Sequence, residues 1–143
     1  DLLIGNHVLA AKMLKNSSME IIPTGYILIN GGNVSSVEYI SNTKPIPADK
    51  TELIVSTAIA GQLLGHKAIY LESGSGANNS LGTNVIKRVK ENLEIPLIVG
   101  GGLKTPRDVE LASKSGADMV VVGNILENDP GRIESLIRAA KHF

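Results

Sequence analysis

The chain has 143 residues, with 14 basic and 14 acidic side chains, so its length suits one domain or part of one. This balance of charge provides no electrostatic surface for nucleic acid, and we expect no nucleic-acid partner. The absence of cysteine excludes disulfides and thiol chemistry and favours a cytoplasmic location. The apolar runs are all too short for a membrane-spanning helix.

The first half of the sequence predicts two helices with one interrupted strand between them. Apolar residues at helical spacing predict a first helix that ends at residues 16–18, and residues 20–29 predict a strand broken at Pro23. A long connection over residues 30–49 contains a predicted short strand at 34–39. Asp49 and Glu52 form a D-x-x-E pattern, which predicts a capping box and a helix that continues to Leu64.

The second half repeats a unit in which an aliphatic strand ends in glycines and a helix follows. The predicted strands are 68–72, 95–99 and 118–122, and the predicted helices are 83–93, 105–116 and a last one beyond residue 130. Four consecutive β-favouring aliphatics are typical of a strand covered on both faces, as in a parallel sheet. Repetition of this unit predicts a right-handed array of βαβ units.

Three consecutive glycines, Gly100, Gly101 and Gly102, follow the strand at 95–99. They remove every side chain where backbone amides could approach a ligand. Thr105 and Pro106 then begin a helix, whose free N–H groups and positive dipole end would favour an anion such as phosphate. The alternative is a tight strand-to-helix turn that requires small residues.

Two α/β architectures fit this element order. A Rossmann domain requires G-x-G-x-x-G after its first strand, and the pair Gly74 and Gly76 lacks the third glycine. A TIM-type barrel commonly binds phosphate in its last two βα loops, the places that Gly100–Gly102 and Gly123–Asn124 would take. We therefore predict an α/β fold, the C-terminal half of a parallel (β/α)8 barrel with about four βα units, as one domain over residues 1–143. The N-terminal half is expected to be missing from this chain.

Four segments together are similar to the geranylgeranylglyceryl phosphate synthase family: IPTGYILI at 22–29, YLESGSGA at 70–77, PLIVGGG at 96–102 and VGN at 122–124. The resemblance covers essentially the whole chain. It implies a barrel prenyltransferase that attaches a geranylgeranyl or similar polyprenyl group to the C3 hydroxyl of sn-glycerol 1-phosphate in ether phospholipid biosynthesis.

The resemblance also implies roles for particular residues. Glu72 would be catalytic, accepting hydrogen bonds from glycerol hydroxyls and a proton as the nucleophilic oxygen attacks. Thr24 and Tyr26 would lie near the acceptor and the prenyl path, as weaker candidates. The sn-glycerol 1-phosphate site would comprise Tyr70, Leu71, Glu72, Ser73, Gly74, Ser75, Gly76, Gly100, Gly101, Gly102, Gly123 and Asn124.

The family uses Mg²⁺ to neutralise the diphosphate leaving group of a polyprenyl diphosphate. Its acidic ligands belong to the N-terminal half, so no metal ligand is expected in this chain. A homo-oligomer and peripheral membrane contact through the lipid product are also implied. Two alternatives remain: another phosphate-binding barrel enzyme, an isomerase or aldolase, or a non-catalytic half-barrel module that binds phosphate. An isomerase or aldolase would normally carry a catalytic Lys or Asp at a strand end, where this sequence has neither.

Overall fold

A computed structural model describes residues 7–32, 36–74 and 80–140. The elements follow the alternating order predicted from the sequence. They are helix α1 His7–Lys15, strand β1 Thr24–Leu28, α2 Ser36–Ser41, α3 Thr51–Leu63, β2 Ala68–Glu72, α4 Thr83–Lys90, β3 Leu97–Gly100, α5 Pro106–Lys114, β4 Met119–Val121, α6 Asn124–Asn128, a 3₁₀ turn Pro130–Arg132 and α7 Ile133–Ala140. None of the helices in these ranges is long and apolar enough to cross a membrane.

The four strands form one parallel sheet in the order β1-β2-β3-β4. The predicted parallel α/β sheet is therefore confirmed, and each strand pairs with its neighbour in sequence. Glu72 at the end of β2 lies in register with Leu28 on one side and Gly100 on the other, and Gly100 pairs with Val121. The carboxyl ends of all four strands consequently meet at one edge.

The two faces of the sheet differ in burial. On one face the strands contribute side chains that are at most 6% exposed, and these pack with buried residues of α3, α4 and α5; the strand residues are Ile27, Ile69, Leu71, Leu97 and Val99. The opposite face is open at its two edge strands, where Tyr26 is 50% exposed, Met119 49% and Val121 44%. In a complete parallel sheet, large side chains such as these are usually buried by other elements on both faces.

Two local expectations differ from the structure. Residues 36–41 form helix α2, so the strand predicted at 34–39 is wrong there, while residues 33–35 lie outside the described part. Helix α3 is present, but its N-cap is Lys50 and no side chain caps it, so the capping box of Asp49 and Glu52 is wrong. Burial of Ile54, Val55 and Ala58 against the sheet stabilises this helix without a cap.

Asp118 connects three elements at the amino-terminal edge of the sheet. Its Oδ2 accepts a hydrogen bond from the Leu97 backbone N–H at 2.7 Å and from Lys90 Nζ at 2.7 Å. Burial alone would raise the pKa of Asp118, but the bonds from Lys90 and Leu97 outweigh it and hold the pKa below its ordinary value. The carboxylate therefore ties the start of β3 and the end of α4 to β4.

An Asp118→Ala substitution is expected to lower the free energy of unfolding by about 1 to 2 kcal/mol at neutral pH, since it removes hydrogen bonds to a charged group. Because the folded pKa is depressed, this stabilisation is present above the ordinary pKa of 3.8 and is lost as the pH falls through the folded value. Thermal unfolding of the variant and the wild type at pH 7 measures the loss of stability, and the same comparison below pH 3 shows whether that loss disappears in acid. Asp49→Ala, at an exposed ion pair, is the control, and a deficit that persists undiminished in acid would contradict the assignment.

Candidate functional site

A pocket of about 260 Å³ lies at the carboxyl ends of the strands. This is the edge at which parallel α/β folds place their ligands, because the βα loops converge there. Its walls come from the ends of β1 and β2, from the glycine loop after β3, and from the turn between β4 and α6. The lining residues are Tyr26, Tyr70, Glu72, Gly101, Gly102, Leu103, Lys104, Val121, Val122, Gly123, Asn124 and Ile125.

Glu72 is the acidic side chain of this pocket and is only 7% exposed. It is the last residue of β2, so its carboxylate emerges where the strand meets the loop. Its Oε1 accepts a hydrogen bond of 2.6 Å from the backbone N–H of Gly74, a residue with φ of 97°. The bond from the Gly74 amide fixes the orientation of Glu72, and the left-handed conformation of Gly74 favours glycine at that position.

Tyr26 and Tyr70 are partners in the parallel register of β1 and β2. Their rings stack with centroids 4.9 Å apart and planes inclined by 13°. Burial, the Glu72 charge and a hydrogen bond to Glu72 raise the pKa of Tyr26 to about 12, and the same causes raise the pKa of Tyr70. Both phenols are therefore neutral at physiological pH and act as hydrogen-bond donors toward Glu72.

The glycine loop approaches the β2 loop too closely for side chains. Gly101 and Gly102 have φ of 75° and 69°, a left-handed conformation that strains any other residue. A Cβ at Gly101 would lie 2.7 Å from both the N and the O of Gly74 and would collide with Glu72 Oε1. A Cβ at Gly100 would collide with the hydroxyl of Tyr70. These contacts explain why glycines occupy this loop.

The amino terminus of α5 differs from the sequence-based expectation of free N–H groups. Asp108 Oδ2 accepts hydrogen bonds from the backbone N–H groups of Lys104 at 3.0 Å and Thr105 at 2.8 Å. The Asp108 N–H in turn donates to Thr105 Oγ1 at 3.1 Å, which completes a capping box. Three of the amides that the sequence analysis offered to an anion therefore already have partners within the chain.

Seven of the residues proposed from the sequence line the pocket together: Tyr26, Tyr70, Glu72, Gly101, Gly102, Gly123 and Asn124. Gly74 and Gly100 lie directly behind them, against Glu72 and Tyr70. Ser73 is buried beside the pocket, 4% exposed, and its N–H donates to the carbonyl of Gly100.

Four other candidate residues are not among those that line the pocket. The Leu71 side chain is fully buried in the core on the helix-covered face, so only its backbone faces the strand ends, and its role as a ligand contact stays a prediction. Thr24 begins β1 at the opposite end of the strand, and its hydroxyl donates to the carbonyl of Ile22; its placement near the acceptor stays a prediction. Ser75 and Gly76 lie outside the described residues.

Five lining residues were not expected from the sequence: Leu103, Lys104, Val121, Val122 and Ile125. Each lies beside or close to a glycine motif that was identified, so proximity to those motifs was the available signal.

Among the described residues, no group of three or more His, Cys, Asp or Glu side chains could hold a metal ion. The single carboxylate of the pocket does not fit the acidic ligand set that Mg²⁺ prefers.

The fold and the pocket define an α/β protein with a small-ligand site at the carboxyl edge of a parallel sheet. Residues 1–142 match the PcrB family, and the chain belongs to that family. It is 45% identical to a geranylgeranylglyceryl phosphate synthase of Chitinophaga pinensis, over 97% of this chain and 55% of the relative. It is 38% identical to the Saccharolobus solfataricus protein of the same name, over 98% of this chain and 54% of that one.

Solved structures agree with the sequence relatives. The crystal structure of (S)-3-O-geranylgeranylglyceryl phosphate synthase from Thermoplasma acidophilum, in complex with its substrate sn-glycerol-1-phosphate, superposes with a TM-score of 0.90 at 35% identity. The match covers 98% of this chain and 57% of that chain. The resemblance stated from the sequence is thereby confirmed. The chain spans about half the length of the curated relatives that it matches.

Proposed function

We propose that this chain provides the acceptor site of a prenyltransferase, which moves a geranylgeranyl or similar polyprenyl group from its diphosphate to the C3 hydroxyl of sn-glycerol 1-phosphate. The proposed pathway is ether phospholipid biosynthesis. The relatives carry the name of this enzyme, and the Thermoplasma acidophilum structure contains sn-glycerol-1-phosphate. One observation on this chain supports it most: a buried, oriented carboxylate and a side-chain-free glycine loop share one pocket.

The two ends of the acceptor would meet two different surfaces of the pocket. The glycine loop at Gly101–Gly102 and the turn at Gly123–Asn124 expose backbone at the pocket wall, which suits phosphate oxygens. Glu72 lies across the loop, and its carboxylate keeps acceptor capacity beyond the bond from Gly74. We assign the glycerol hydroxyls to Glu72 and the phosphate to the glycines.

The transfer step then has a defined proton path. The C3 oxygen of the acceptor attacks C1 of the prenyl donor, a C–O bond forms, and the bond from C1 to the diphosphate oxygen breaks with its electron pair on the leaving group. The hydroxyl proton passes to the Glu72 carboxylate, which acts as general base. Tyr26 and Tyr70 donate hydrogen bonds to that carboxylate and fix its orientation beside the acceptor hydroxyl.

The donor half of the enzyme is proposed to lie outside this chain, with the described sheet as the C-terminal half of a (β/α)8 barrel. The chain spans only about half the length of its relatives, and the sheet face opposite the helices is open at Tyr26, Met119 and Val121. Mg²⁺ ligands are proposed to come from the same missing half. A cytoplasmic location, a homo-oligomer and membrane contact through the lipid product remain predictions.

The test compares Glu72→Gln with wild type in the complete protein, supplied with Mg²⁺, sn-glycerol 1-phosphate and geranylgeranyl diphosphate. Glutamine keeps an oxygen for the Gly74 amide but cannot take the proton, so kcat is expected to fall about a hundredfold or more. Glu94→Gln, an exposed residue before β3, is the control and should retain activity. Wild-type turnover by Glu72→Gln would leave Glu72 a structural role only, and failure of the wild-type protein to form the ether would overturn the function.

A further inference from the structure

The pocket is lined by few charged side chains. Glu72 is its only acidic lining residue and Lys104 its only basic one, within the part of the chain that the structure describes. Residues 75–79, which are outside that part, carry no charged side chain in the sequence. A doubly charged phosphate in this pocket would therefore face a carboxylate, with Lys104 as the cation of this chain that could offset both charges.

The helix termini near the pocket contribute little positive potential. At α5 the amides of Lys104, Thr105 and Asp108 already have partners, and the Asp108 carboxylate offsets the helix dipole there. Helix α6 has only five residues, so its dipole is small. The uncharged glycine amides orient an anion but supply no full charge, so a side-chain cation would strengthen phosphate binding.

Lys104 is available for such a contact. Four other lysines of the described residues are paired with acids: Lys50 with Asp49, Lys87 with Glu91, Lys90 with Asp118 and Lys114 with Glu110. No ion pair of Lys104 is found among the described residues, and Lys104 is an exposed residue that lines the pocket. Two residues separate it from Gly101, so it borders the glycine loop directly.

We propose that the Lys104 ammonium binds the phosphate of the acceptor and selects phosphorylated glycerol over free glycerol. This inference rests on the proposed function, because it takes the acceptor as the occupant of the pocket. Lys104 acts on binding, and Glu72 acts on the proton. The residue therefore determines acceptor specificity, and its loss should appear in the KM for the acceptor and leave kcat nearly unchanged.

The experiment measures binding of inorganic phosphate and of sn-glycerol 1-phosphate by isothermal titration, and steady-state kinetics, on the complete protein. Lys104→Met keeps the length of the side chain without its charge and is expected to weaken both ligands about tenfold and to flatten the dependence of affinity on salt. Lys104→Arg should restore most of the affinity. Lys67→Met, at an exposed lysine before β2 at the opposite end of the sheet, is the matched control and should change neither.

The outcomes separate this inference from the function on which it rests. Phosphate affinity of Lys104→Met within twofold of wild type, or a rise in KM for the prenyl diphosphate alone, overturns the role of Lys104 even if the enzyme is active. A loss of affinity that Lys104→Arg restores supports it even if no prenyl product forms. A wild-type protein that binds neither ligand overturns both.

Discussion

A Gly101→Ala variant of the complete protein is expected to lose phosphate affinity by tenfold or more. The added methyl group would meet the backbone N and O of Gly74 at 2.7 Å and collide with the Glu72 carboxylate, so either the loop or Glu72 must move. The position also has φ of 75°, where a non-glycine residue costs about 1 to 2 kcal/mol. Isothermal titration with inorganic phosphate measures the affinity, and the Glu72-dependent turnover should fall with it.

Two glycines of the same chain provide matched controls. Gly65 has φ of 92°, lies at the far end of α3 and has open space where a methyl group would be added, so Gly65→Ala introduces strain without a collision. Gly82 has open space and an ordinary φ of −62°, so Gly82→Ala should be nearly neutral. If Gly65→Ala lost as much phosphate affinity as Gly101→Ala, strain would explain the result and the close packing at the site would not.

The second large effect is a complete loss of prenyl transfer when residues 1–143 are expressed alone. The described residues offer no cluster of acidic side chains for a metal ion, and the pocket has only one carboxylate. The exposed side chains of β1 and β4 are also expected to recruit a partner, as are the outer edges of those strands, where Ile46 bonds only to the end of β1 among the described residues. We therefore expect self-association or aggregation rather than a stable monomer.

Sedimentation of the isolated chain and an assay with Mg²⁺, sn-glycerol 1-phosphate and geranylgeranyl diphosphate check both expectations. Co-expression with the remaining part of the protein is the control and should restore a compact particle and its activity. A monomer that melts cooperatively would contradict the half-barrel proposal. Product formation by that monomer would contradict the division of donor and acceptor sites between the two halves.

The sheet was predictable because its strands are short aliphatic runs that end in glycines, such as Leu97–Gly100. Helix α3 was predictable from its apolar content, but its start was not. The pattern of Asp49 and Glu52 satisfies the capping rule, yet the chain places Lys50 at the N-cap. Helix α2 was missed because β-favouring residues at 37–40 resemble a strand when the packing around them is unknown.

The site was predictable where backbone chemistry or the family resemblance marks it, as at Gly101 and Glu72. What could not be predicted depends on contacts between elements. The stacking of Tyr26 on Tyr70 follows from the strand register, and the engagement of the α5 amides follows from the orientation of Asp108. Lys104 belongs to no recognisable pattern, so only its position at the pocket distinguishes it from other exposed lysines.

The stacked tyrosines also give the proposed acceptor site an optical signal. The chain contains no tryptophan and three tyrosines, and two of those form the pair beside the Glu72 carboxylate. A hydrogen-bonded carboxylate quenches phenol fluorescence, so a ligand that competes for Glu72 should brighten or shift the emission of this pair. Occupancy of the pocket is then readable from intrinsic tyrosine emission, with Tyr26→Phe and Tyr70→Phe to assign the change to each ring.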